Sequence, residues 1–208
     1  MRYAVFAAAM VLVHANLVAA VPCNGGTAPV CTYIDYQQFS QFSGTLSVID
    51  FETMPNGMPS VPGTFLSPAF NYGSQGAVFS SPNVAPQLIS GQGAFALAVN
   101  TFLPFVPTKI IIDLSIPSPA IGVAFPGGTT LSAYDLGGNV LGSVSFSGVG
   151  TGFFLGITSD VPIARVIADS GTQSETIEAF FFNPIPEPAT LGLAIPAIIA
   201  ALARKSKR

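Results

Sequence analysis

Carboxylates are the only conventional catalytic groups in this chain. His14 is the single histidine, and it lies in an N-terminal stretch that reads as a removable leader. Ser-His-Asp and Cys-His arrangements are therefore out of reach, as are ordinary zinc sites. The sequence holds no GxSxG elbow, no GxxxxGK loop and no GxGxxG after a strand. Two of Asp50, Glu52, Asp135 and Glu178 would serve a glycoside hydrolase as its paired carboxylates. Such enzymes usually stack sugars on tryptophan, and this chain has none. Asp50, Glu52 and Glu178 are also the candidate calcium ligands, because that ion takes six to eight oxygens and the first and last strands of a sandwich can meet at one edge. The plainer alternative is that Glu52 and Glu178 are outward-facing acids alternating with core residues. Asp135, before two glycines, reads as a turn residue. Tyr33 and Tyr36 are the candidate ligand-binding aromatics, each with an apolar face and a polar tip.

The elements that must position these groups are short. β-prone runs separated by Gly, Pro, Ser and Asn predict strands at 45–52, 77–80, 94–99, 109–114, 121–125, 130–134, 140–146, 152–157, 164–168 and 176–182. Several alternate as half-buried strands do: Ile110, Ile112 and Leu114 share one face, Ile111 and Asp113 the other. Asp135-Leu136-Gly137-Gly138-Asn139 supplies a hairpin. No segment of the body shows a sustained helical period between caps. Many short strands at regular spacing predict an all-β protein, an antiparallel β-sandwich of jelly-roll kind.

Both ends read as targeting signals. Arg2, the apolar run 3–13 and Val18-Ala19-Ala20 form a signal peptide over 1–20, with a cut expected before Val21. Residues 21–44 form a Gly/Gln/Ser-rich lead-in, 45–183 the sandwich domain and 184–208 a tail. Within the lead-in, Cys23 and Cys31 are the only cysteines. In an oxidising compartment they are expected to form a disulfide, since the mature chain offers no further soft ligands for a metal pair.

The net charge of −3 conceals a strong asymmetry. Between residues 21 and 183 nine acids face two bases, Lys109 and Arg165, a net of −7. Such a body repels a phosphate backbone, which needs clustered Lys and Arg, so nucleic acid is excluded as a partner. Four of the seven basic residues, Arg204, Lys205, Lys207 and Arg208, close the chain. Before them runs an apolar segment, 191–203, whose 13 residues span about 20 Å as helix against a hydrocarbon core of about 30 Å. Before that comes Pro186-Glu187-Pro188, held extended by its prolines.

This order of tripeptide, apolar run and basic end resembles the PEP-CTERM sorting signal of exported bacterial proteins. The resemblance implies recognition by an exosortase-type membrane peptidase cutting near Pro186-Glu187-Pro188. It also implies a transient inner-membrane stage, the basic end staying cytoplasmic, and delivery to the surface of a Gram-negative cell. Residues 45–183 likewise resemble a β-sandwich often found before that signal, through Ile49-Asp50-Phe51-Glu52, Gly76-Ala77-Val78-Phe79, Ile121-Gly122-Val123-Ala124-Phe125, Tyr134-Asp135-Leu136-Gly137-Gly138, Phe154-Leu155-Gly156-Ile157 and Ile177-Glu178-Ala179-Phe180-Phe181-Phe182. The implied role is non-catalytic, a matrix or adhesive protein binding exopolysaccharide. A carboxylate-dependent glycoside hydrolase and a protein-binding adhesin are the alternatives.

Overall fold

The computed structural model describes residues 29–90, 95–100, 107–148, 152–172 and 174–184. The signal peptide, Cys23, Pro186-Glu187-Pro188, the apolar segment and the basic tail lie outside the described residues. Eleven strands and one short α-helix occur among those described: β1 (Val30–Tyr33), α1 (Tyr36–Phe42), β2 (Ser47–Ile49), β3 (Ala77–Ser80), β4 (Gln87–Ser90), β5 (Phe95–Asn100), β6 (Lys109–Phe125), β7 (Thr129–Tyr134), β8 (Val140–Phe146), β9 (Phe153–Asp169), β10 (Ser174–Ile177) and β11 (Ala179–Phe182). A 3₁₀ turn occupies Tyr72–Gln75. The fold is an antiparallel β-sandwich. One sheet runs β2-β11-β6-β9-β7-β8, with β1 added to β9 and β3 to β6; the other runs β10-β5-β4.

The framework is the pair of 17-residue strands β6 and β9. The first half of β6 lies between β3 and the last part of β9; its second half lies between β11 and the first part of β9. Between these halves the ladder is irregular, where Pro117, Pro119 and Pro162 withhold backbone donors. Seven residues separate Asp113 from Ala120 on one strand and Thr158 from Arg165 on the other. Seven is odd, so the inward parity changes once across the irregularity. Ile110, Ile112 and Leu114 point into the core before it, and Ile121, Val123 and Phe125 after it. On β9, Leu155, Ile157 and Ile163 give way likewise to Val166 and Ala168. The three-stranded sheet closes this face with Leu88, Leu97, Val99 and Ile177.

The lead-in is built into the domain. β1 pairs with β9 from Val30↔Ser159 to Tyr33↔Gly156. Asp35 caps α1, its carboxylate accepting from the Gln38 amide at 2.9 Å, which satisfies one of the helix's free donors. The helix lays Phe39, fully buried, against Phe154 at a 5.1 Å ring separation. Beneath those rings Gly122 and Gly156 are directly paired. A Cβ on Gly156 would sit 2.6 Å from Phe39, and one on Gly122 would sit 2.6 Å from Phe154. Only glycine leaves room for the aromatic lid at these two positions.

The hairpin forms where the sequence places it. The Asp135 carboxylate accepts from the Asn139 amide at 2.8 Å and from its side chain at 2.9 Å. These bonds hold Asp135 below the usual carboxylate range.

Candidate functional site

The outer face of β6, β9, β7 and β8 is the open face that the ladder registers define. Residues directly opposite in an antiparallel pair share a face, so three rows cross the sheet. The first is Lys109, Asp169, Thr130 and Ser145; the second is Ile111, Ile167, Ser132 and Ser143; the third is Asp113, Arg165, Tyr134 and Val140. Their inward neighbours Ile110, Ile112, Leu131, Ala133, Val166 and Ala168 are all fully buried, which fixes the rows as the opposite face. Successive rows lie about 7 Å apart along the strands.

The chemistry of this face is mixed and ordered. Ile111 and Ile167 make an apolar strip at its centre. Hydroxyls pair across β7 and β8, Thr130 with Ser145 at 2.8 Å and Ser132 with Ser143 at 3.0 Å. Arg165 donates to Asp113 at 2.6 Å, and that carboxylate raises the guanidinium pKa further. Tyr134 stands half-buried beside Arg165. A shallow groove of about 360 Å³, lined by Lys109, Thr130, Ser132, Tyr134, Ile167 and Asp169, runs along the rows. Such a surface offers an aromatic plate, an apolar strip and several donors and acceptors. It does not offer paired catalytic carboxylates. Asp113 and Asp169 are one strand over and four residues apart in register, about 13 Å, beyond the ≈ 5–9.5 Å that glycoside hydrolysis uses.

The residues singled out from sequence fall elsewhere. Tyr33 is buried, only 4% exposed, with Phe39 edge-on to its ring at 5.7 Å; it has no surface to offer a ligand. Tyr36 is 43% exposed but packs against Phe154 at 5.4 Å and Phe181 at 5.2 Å, so it is part of the aromatic lid. β2 pairs with β11 through Phe180↔Ile49, which does bring the first and last predicted strands together. Asp50 nevertheless serves the chain itself, accepting from the Glu52 amide at 3.1 Å. This turn carries buried Phe51 into a left-handed conformation at φ 61°, rare for a bulky residue. Among the described residues no three His, Cys, Asp or Glu side chains converge as a metal site, so Asp50, Glu52 and Glu178 do not fit calcium as a set. Cys31 is buried on β1 and is not a free thiol; its expected partner Cys23 lies outside the described residues.

No protein-family model matches this chain, and neither does any curated protein. Solved structures do. A family 29 carbohydrate-binding module complexed with cellulohexaose matches at a TM-score of 0.39 and 11% identity, over 66% of this chain and 90% of that one. The family 32 module of NanJ from C. perfringens, in complex with galactose, matches at 0.35 and 10%, over 51% and 93%. The lectin domain of lectinolysin, complexed with Lewis B antigen, matches at 0.35 and 8%, over 43% and 72%. No residue role is carried over from them.

Sequence reasoning missed two parts of the site. Tyr134 was legible as a strand residue, but its position on the open face needed the ladder register. Glu175 was hidden because it begins a strand among polar neighbours. It is 2% exposed and lines a second cavity of about 330 Å³ with Thr129, Ser170, Thr172, Ser174 and Thr176. One carboxylate oxygen accepts from the Thr129 hydroxyl at 2.8 Å and the Thr176 amide at 3.1 Å. Burial, reinforced by the nearby Asp169 charge, pushes its pKa up to about 7 against those hydrogen bonds.

Proposed function

We propose that this is an exported, non-catalytic surface protein that holds a polysaccharide against the outer face of β6, β9, β7 and β8. The observation that carries this reading is the three-row register. It sets Tyr134, an Ile111/Ile167 strip, two hydroxyl pairs and both body cations, Lys109 and Arg165, on one open face. A sugar ring has an apolar face and a rim of hydroxyls. Tyrosine and isoleucine suit the first; Asp169, the hydroxyl pairs and the cations suit the second. Pro186-Glu187-Pro188, the apolar segment and the basic end are read as a sorting signal, with an exosortase-type peptidase as the partner that processes it.

The test is retention of the full-length chain on immobilised bacterial exopolysaccharides, comparing wild type with Tyr134→Ala. Saturable binding weakened about tenfold or more, equivalent to about 1.4 kcal/mol, is expected for the variant. Failure of the wild type to bind any glycan, or equal binding by Tyr134→Ala, overturns the site. Replacing Pro186-Glu187-Pro188 with alanines is expected to leave the protein cell-associated; unchanged delivery to the extracellular matrix would overturn the sorting reading separately.

A further inference from the structure

A glutamate occupies an inward position of β10, where the period of the strand calls for an apolar residue. Glu175 and Ile177 alternate with Ser174 and Thr176, and lie opposite the fully buried Val99 and Leu97 of β5. Glu175 is itself buried. One of its oxygens accepts from the Thr129 hydroxyl at 2.8 Å and the Thr176 amide at 3.1 Å, and the Ser170 amide also donates to the carboxylate. The other oxygen is shut off from solvent and accepts no hydrogen bond. A carboxyl group held in this way is costly when charged and far less so when neutral.

The surroundings add no compensating cation. Asp169, at the end of β9, is the charged group that bears on Glu175, and it disfavours a second negative charge. Lys109 stands opposite Asp169 on β6 and lines the outer groove, not the cavity beside Glu175. β5, the start of β7, the 126–128 loop and the 170–172 turn bring no titratable side chain. The place of β10 in the fold gives this group leverage. It is a four-residue edge strand, paired with β5 alone among the described strands. A single residue, Glu178, separates it from β11 in the other sheet. The Thr129 hydroxyl belongs to β7 of that other sheet, so its bond to Glu175 ties the two sheets together.

We infer that Glu175 is a proton-operated latch: protonated, it stays closed against Thr129 and pins β10 to the larger sheet; deprotonated, it drives β10 to lift so that the carboxylate reaches water. Lifting frees the edge of β5 and loosens the smaller sheet while the larger one stays folded. The sign follows from the two states. The closed form keeps its proton up to about pH 7, whereas the lifted form, like the free group, gives it up near 4.5. Closure is therefore strongest below about pH 4.5 and weakens as pH rises to about 7, by up to about tenfold per pH unit for one proton. The latch stands independently of the polysaccharide reading.

The experiment is amide hydrogen exchange of the full-length chain from pH 5 to pH 8, comparing wild type with Glu175→Gln, which keeps the shape but cannot ionise. At each pH the ratio of the two exchange rates cancels the intrinsic effect of pH. In β10 and β5 that ratio is expected to rise about tenfold or more between pH 5 and pH 8, with no change in β8. Thr129→Val removes a bond that favours the charged carboxylate, so its transition should move to higher pH. A merely structural bond would loosen the strand equally at every pH. Should Glu175→Gln not fold, wild-type β10 read against β8 and the Thr129→Val transition decide. A ratio that stays flat with pH, or an unmoved transition in Thr129→Val, overturns the latch.

Discussion

The two ends of the β6/β9 pair share one outer face and treat it in opposite ways. At one end the floor is the paired Gly122 and Gly156, and α1 lowers Phe39 onto it beside Phe154 and Tyr33. At the other the equivalent positions carry Ile111 and Ile167, flanked by Lys109, Asp169, Asp113, Arg165 and Tyr134, and no element covers them among the described residues. Where the sheet is closed, small floor residues and a ring cluster exclude water. Where it is open, apolar strips alternate with charges and hydroxyls. The density of aromatic residues therefore marks the covered end of this face; the ladder register marks the open one.

Breaking the closed end should be the most damaging change. Phe39→Ala removes a fully buried ring from between Phe154 and Gly156, and should cost about 3–5 kcal/mol. Chemical denaturation measures this; a loss under 1 kcal/mol would mean that α1 does not seal the sheet. The next effect lies beside the open end. Because the folded pKa of Glu175 stands near 7, above the 4.5 of the free group, its protonation favours the folded state. That contribution is complete below about pH 4.5 and disappears as pH rises through 7. Wild type should lose about 1–3 kcal/mol relative to Glu175→Gln between pH 5 and pH 8. Parallel pH profiles for the two proteins would contradict it. Smallest of all, Arg165→Met breaks an ion pair whose side chains are 53% and 44% exposed, and should change stability by less than about 1 kcal/mol. If that variant unfolds the protein, the open face is structural after all and the contrast between the ends collapses.

Much of the fold was legible because alternation is a local signal. Ile110 to Leu114 and Thr130 to Tyr134 read correctly as half-buried strands, and Asp135 to Asn139 as their kind of turn. Three features resisted. Pro117, Pro119 and Pro162 read as breaks, yet the strands continue through an irregular ladder, so two pairs of predicted strands are single 17-residue strands. The predicted 176–182 strand is divided at Glu178, Ser174–Ile177 pairing with β5 and Ala179–Phe182 with β6. Strands β1 and β4 and helix α1 have no counterpart among the predicted elements. For the helix a signal existed in Asp35-Tyr36-Gln37-Gln38, an N-cap acid with glutamine three residues on. The open face escaped because sharing a face across four strands is a long-range property. Residue type alone reads Tyr33 as solvent-facing, but packing buries it; Tyr36 does stay 43% exposed, its ring lying against Phe154 and Phe181.

The irregular middle of β6 and β9 works like a reading frame. Each strand spends an odd number of residues crossing it, so one residue inserted into or deleted from 114–119 would turn Gly122 and Ala124 inward and throw Ile121, Val123 and Phe125 outward. The same edit in the 135–139 hairpin would change only the length of an exposed tip. Length variation among natural or designed versions of this sandwich should therefore collect at the hairpins, while the proline crossing keeps its count.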